Sequence, residues 1–151
     1  MDQPIETSVL INSSLDNVWE YLTNPALIKQ WMGEPELAIE ITTDWVVGNP
    51  IVITGFHHVK FENKGRVLQL EPQKMIRYSH LSSVSRLPDV PENYSVITFQ
   101  LTPEGDQTIL KVTAENFPTE TIYKHLDFYW KGTVFIIKNN VEEGRKHSSL
   151  A

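Results

Sequence analysis

The sequence predicts an α+β fold: a curved antiparallel sheet of about seven strands wrapped around one long C-terminal α-helix, with two short helices between the first strand and the second. Three observations carry this. Residues 119–143 place Tyr123, Leu126, Trp130, Val134, Ile137 and Val141 on one side of a helix turning at about 100° per residue, with Ile122, Tyr129 and Ile136 widening the arc. Upstream, apolar and polar residues alternate with the period of half-buried strands. A helix so rich in aromatic residues needs a broad concave partner, and those strands are the only candidate.

The elements follow in order. Ile5, Thr7, Val9 and Ile11 alternate with Glu6, Ser8 and Leu10 as a first strand. Ser13 or Ser14 offers an N-cap for a helix carrying Leu15, Val18, Trp19 and Leu22, and Asn24-Pro25 caps and restarts a second one carrying Leu27, Ile28 and Trp31. Gly33 and Pro35 end it. Residues 37–45 alternate again before a turn at Gly48-Asn49-Pro50. Over residues 51–62, Ile51, Ile53, Gly55, His57, Val59 and Phe61 are expected inward, with Gly55 marking a bulge or bend. Asn63-Lys64-Gly65 reads as a turn into residues 66–71, and Pro72-Gln73 as a turn into residues 75–82, where Ile76, Tyr78 and His80 share a face. Residues 82–93, with two prolines, form a loop suited to gate a cavity. A hairpin of residues 94–102 and 107–115 turns at 103–106. Thr119 is the expected cap of the long helix, Gly144 its terminator, and 145–151 a frayed tail.

Composition bounds the function. At 151 residues the chain is one domain, 1–151, large enough for a real core. A net charge of −6, a pI near 5.3 and no Lys/Arg cluster beyond Arg145-Lys146 leave no electrostatic footprint for nucleic acid or anionic membrane. Mean hydropathy is −0.26, and no apolar run approaches the roughly 18 residues of a membrane span. The start, MDQPIETS, lacks the pattern of a secretory signal. With no cysteine, disulfides and thiolate chemistry are excluded and a reducing cytoplasm is the expected compartment.

The arrangement is a helix-grip, and the segment INSSLDNVWEYLTNPALIKQWM resembles the opening of the superfamily that includes START lipid-transfer domains, pollen allergens and polyketide cyclases. Within it the chain is most similar to the branch of the activator of Hsp90 ATPase. The likeness continues at Gly48, through ITFQLTPEGDQTILKVTAENF, and at Trp130, Val134, Ile137, Lys138, Val141 and Glu142. Asn49 stands where the usual turn has a second glycine, which Asn's tolerance of positive φ would excuse. Full Hsp90 activators resemble this domain with an additional N-terminal domain, for which 151 residues leave no room. The resemblance implies a cavity between sheet and helix that takes an apolar small molecule, and no cofactor.

Candidate chemistry is sparse. His57 and His58 are neighbours on a strand and are expected to point to opposite faces. His57, Tyr78 and His80 form the one polar cluster expected inside, able to orient a ligand or move a proton; the alternative is histidines satisfied by backbone or water. No third metal ligand is in view, no carboxylate pair converges, and the serines lack a glycine elbow. Aromatic residues are the stronger signal. The expected cavity lining is Trp31, Trp45, His57, Tyr78, His80, Phe99, Phe117, Tyr129 and Trp130, with core filling as the competing role, above all for Phe99 and Trp130. Phe128 and Phe135, seven residues apart on the far side of the helix, are either covered by a loop or mark a homodimer contact. Three functions follow: a carrier or sensor of a lipid-like or aromatic ligand, a cyclase- or aromatase-like enzyme using His57, Tyr78 and His80, and an interaction module of Hsp90-activator type.

Overall fold

A computed structural model describes residues 3–150, with side chains for residues 3–144. Seven antiparallel strands form one sheet in the order β1-β7-β6-β5-β4-β3-β2. The strands are β1 (Ile5–Ile11), β2 (Glu40–Thr43), β3 (Pro50–His57), β4 (Val59–Glu71), β5 (Met75–Ser82), β6 (Ser95–Glu104) and β7 (Gln107–Glu115). Helices α1 (Leu15–Thr23) and α2 (Pro25–Met32) connect β1 to β2, and α3 (Glu120–Leu150) ends the chain. This is the expected helix-grip. Among the described residues no helix is long and apolar enough to cross a membrane.

Capping residues set the helix starts. Ser14 Oγ accepts from the Asn17 amide at 3.2 Å, Asn24 Oδ1 from Ala26 at 3.0 Å with Pro25 at the first helical position, and Thr119 Oγ1 from Ile122 at 3.1 Å. The C-terminal end of α1 is closed by two indoles. Trp31 Nε1 donates to the Tyr21 carbonyl and Trp45 Nε1 to the Thr23 carbonyl, each at 2.8 Å, satisfying acceptors the helix cannot satisfy itself. Trp45 makes this reach from a left-handed backbone, φ 57°.

α3 buries the predicted stripe. Leu126, Trp130, Val134, Ile137 and Val141 are each at most 5% exposed and close the core against Phe99, Leu110 and Val112 of the sheet. Lys138 Nζ donates to the Leu10 carbonyl at 2.7 Å and Glu142 accepts from the Asn12 amide at 2.8 Å, fastening the helix beside β1.

Several local expectations fail for identifiable reasons. The strand expected over residues 51–62 turns instead at His58, φ 64°, and β4 runs straight through the expected turn at Asn63-Lys64-Gly65. Gly65 serves a close approach: a Cβ there would overlap the Ser79 carbonyl. Gly55 marks no bulge, because pairing through Gly55 and Phe61 is unbroken and the Phe61 ring lies over the bare glycine, 2.5 Å from where a Cβ would stand. Residues 35–37 form a 3₁₀ turn, so β2 is shorter than the expected 37–45. Asn49 needs no left-handed backbone; its amide donates to Asp44 at 2.7 Å, while Gly48 carries the positive φ of 93°.

Gly144 does not end α3, whose backbone continues to Leu150. A Cβ at Gly144 would meet the Tyr21 hydroxyl, so this glycine lets α1 approach. The side chains of the expected frayed tail, 145–150, and Ala151 lie outside the described residues.

Gly65→Ala is expected to destabilise the fold by about 1–3 kcal/mol, the usual range for overpacking, because the clash is with backbone. A lowered urea midpoint at unchanged m-value checks this.

Candidate functional site

The interior between sheet and α3 is built from rings on four elements. Phe99 of β6 is its centre. Tyr78 of β5 lies diagonal to it on the same face, since Tyr78 pairs with Ile97 and Ile76 with Phe99. Ring centroids stand 6.0 Å apart for Tyr78 and Phe99, 6.3 Å for Trp31 and Phe99, 5.4 Å for Phe99 and Trp130, and 6.3 Å for Trp31 and Trp130. The contacts with Phe99 are edge-on, the arrangement ring quadrupoles favour. Tyr129 borders the group. Its ring meets Trp130 edge-on at 4.9 Å, its hydroxyl donates to the Met32 carbonyl at 2.6 Å, and His125 stacks on its outer face at 6.2 Å.

The nine expected lining residues separate accordingly. Trp31, Tyr78, Phe99 and Trp130 form one buried cluster, with Tyr129 at its edge. Trp45 is half-buried and holds α1, and Phe117 is half-buried against Tyr123 at 4.9 Å. His80, two residues along β5 from Tyr78, is half-buried with His125 of α3 nearby. His57 departs from expectation. It is exposed at the tip of the β3–β4 hairpin, with β4 between it and β5, so the structure does not gather His57, Tyr78 and His80. Because the chain turns at His58, the His57 and His58 rings lie 4.6 Å apart instead of on opposite faces.

Burial sets the electrostatics. Water withdrawn from the His80 ring, and then the neighbouring His125, push its pKa down to about 4, so the imidazole is neutral near pH 7 and a weak proton acceptor. Burial drives Tyr78 and Tyr129 far above the usual phenol range, so both stay protonated. Among the described residues two buried side-chain polar atoms have no hydrogen-bond partner: Trp130 Nε1 and Asn63 Oδ1. Sequence reasoning missed Asn63, which it placed in a turn, and His125, whose spacing of four from Tyr129 was the available signal. Among the described residues no three His, Cys, Asp or Glu side chains come together as a metal site.

The 82–93 loop contains two short 3₁₀ turns. Asp89 fastens it, accepting from Lys64 Nζ at 2.6 Å and from the Tyr94 hydroxyl at 2.6 Å. An open depression lies elsewhere, lined by Ser13, Ser14, Asp16, Gln73, Pro103 and Asp106 at the start of α1, where Gln73 bonds Asp16.

The depressed His80 pKa has a stability consequence. The unfolded imidazole takes a proton near pH 6.5 and the folded one near pH 4, so this contribution is complete above about 6.5 and is lost as pH falls toward 4. Lowering pH from about 7 to 5 is expected to cost wild type about 1–2 kcal/mol more than His80→Gln, a figure discounted for partial exposure. Urea titrations of both proteins at the two pH values check it.

The family model for activator of Hsp90 ATPase homolog 1-like protein matches residues 12–142. Among curated protein sequences none matches. A solution structure of a Cytophaga hutchinsonii protein is 31% identical, with a TM-score of 0.78 over 95% of this chain and 97% of that one. The Aha1 dimer from Colwellia psychrerythraea, also solved in solution, is 23% identical with a TM-score of 0.72, covering 93% of this chain and 96% of that one. CalU16 from Micromonospora echinospora is 20% identical with a TM-score of 0.69, covering 95% and 79%.

Proposed function

The chain belongs to the activator of Hsp90 ATPase homolog 1-like family, and from that premise we propose that it binds an apolar small molecule, lipid-like or aromatic, between the sheet and α3, as a carrier or sensor. The observation that supports this best is the convergence of Trp31, Tyr78, Phe99 and Trp130 from four elements on one interior, with few polar atoms among them. The cyclase-like alternative has less support: His57 is exposed and apart, and a His80 with a pKa near 4 makes a poor general base. In this reading the 82–93 loop is the gate, opening when the Lys64–Asp89 contact breaks, and the protein works in a reducing cytoplasm.

A ligand at a hundred times its Kd stabilises by about 2.7 kcal/mol, or several degrees in a domain of this size. Thermal unfolding across a lipid and polyphenol library is therefore expected to show a saturable rise in Tm for at least one compound, weakened about tenfold or more in affinity by Phe99→Leu. No shift for any compound, with native mass spectrometry finding nothing retained, would contradict the reading.

A second reading concerns the outer face of α3, where Phe128 is 84% and Phe135 55% exposed. Gly132 lies between them, and nothing stands within 4 Å of where its Cβ would be, leaving a notch. Lys124 and Lys131 are already ion-paired within the helix, to Glu120 and Asp127, so a pairing of α3 with a second copy rests on the phenylalanines, an antiparallel packing letting each Phe135 meet the partner's notch. Sedimentation of the wild type is expected to show a dimer, and Phe128→Glu/Phe135→Glu a folded monomer. A wild-type monomer at hundreds of micromolar, or Phe128-dependent stimulation of Hsp90 ATPase by a monomer, would overturn it.

A further inference from the structure

The indole N–H groups of Trp31, Trp45 and Trp130 fare differently. Those of Trp31 and Trp45 each donate to a backbone carbonyl at 2.8 Å. That of Trp130 is buried and has no acceptor, in a side chain only 3% exposed. A donor stripped of water and left unpaired is costly, and buried donors are almost always partnered. The ring carrying it touches Phe99 at 5.4 Å, and Phe99 in turn touches Tyr78 at 6.0 Å. Tyr78 is 4% exposed, and among the described residues its hydroxyl makes no hydrogen bond to protein, whereas the Tyr129 hydroxyl is committed to Met32. The rings carrying these two polar groups, one from the helix and one from the sheet, thus both touch Phe99.

The surroundings restrict what can meet them. Among the described residues no Lys or Arg side chain is buried, so an anion entering this interior would lose its hydration without a counter-charge. The indole only donates, and a protonated phenol does so as readily as it accepts. Resting on the carrier reading above, we propose that the ligand is an uncharged, flat, apolar molecule bearing a carbonyl or ether oxygen, which accepts from Trp130 Nε1 and lies within reach of the Tyr78 hydroxyl.

The test uses three probes of one shape: 9-fluorenone, fluorene and fluorene-9-carboxylate. Calorimetric titration of the full chain is combined with spectra of the ¹⁵N-labelled indoles, Trp130 being assigned by its loss in Trp130→Phe. Fluorenone is expected to bind about 3- to 10-fold more tightly than fluorene, the usual return on one hydrogen bond, and the carboxylate most weakly. The Trp130 indole proton moves downfield with fluorenone and not with fluorene. Tyr78→Phe narrows the preference for fluorenone over fluorene. Equal binding of fluorenone and fluorene with an unmoved Trp130 signal, as for an N–H satisfied by an ordered water or facing a ring, overturns the acceptor inference and leaves the carrier reading standing. Failure of all three probes together with an empty library screen overturns both.

Discussion

The structure depends on one packing constraint: the stripe of α3 from Leu126 to Val141 has to be covered, and only the concave side of the sheet can cover it. Five side chains on that stripe are at most 5% exposed, each worth about 1.5–3 kcal/mol when withdrawn from water. Curvature of the sheet follows from the same need. Gly55 under the Phe61 ring and Gly65 against the Ser79 carbonyl are the places where neighbours approach more closely than a side chain would allow. Gly144 against Tyr21 does the same between α1 and α3, and the indoles of Trp31 and Trp45 fix α1 beneath.

Along α3 the character of the packing changes. From Val134 to Val141 the buried face is aliphatic and fully enclosed, meeting the partners expected of a closed core. From Tyr123 to Trp130 it is aromatic, and polar groups enter at its border: His125, Tyr129, His80 from the sheet, and the unpartnered indole of Trp130. A close-packed interior ordinarily avoids an orphaned donor, so this half of the helix is where the proposed ligand would have something to recognise. The opposite face of the same helix carries the exposed phenylalanines. One element therefore serves the core, the proposed ligand and the proposed partner.

Much of this was legible in the sequence where local chemistry and periodicity agree. The stripe of α3, the caps at Ser14, Asn24 and Thr119, and the alternation of β1, β6 and β7 are all short-range signals. The misreadings came from residues whose role is set by distant neighbours. Gly65 and Gly144 read as a turn and a stop, but each is small because of Ser79 or Tyr21 elsewhere in the chain. His58 carries no turn chemistry of its own, and moving the hairpin to it left His57 exposed at the tip. Trp45 sits in a left-handed backbone that no local rule assigns to tryptophan, held there by Thr23. At the candidate site it is the helix-grip, more than any spacing, that gathers Trp31, Tyr78, Phe99 and Trp130 into one buried cluster. Which of their polar atoms would be left unsatisfied is a three-dimensional fact.

The central claim is that the space around Phe99, between β5, β6 and the first half of α3, is where a small molecule is held. The most direct measurement is an isotope-filtered NMR experiment on labelled protein saturated with an unlabelled ligand, recording which protein protons lie against it. The account predicts contacts to the rings of Tyr78, Phe99 and Trp130. Contacts confined to Ser13, Asp16 and Pro103, around the open depression at the start of α1, would contradict it.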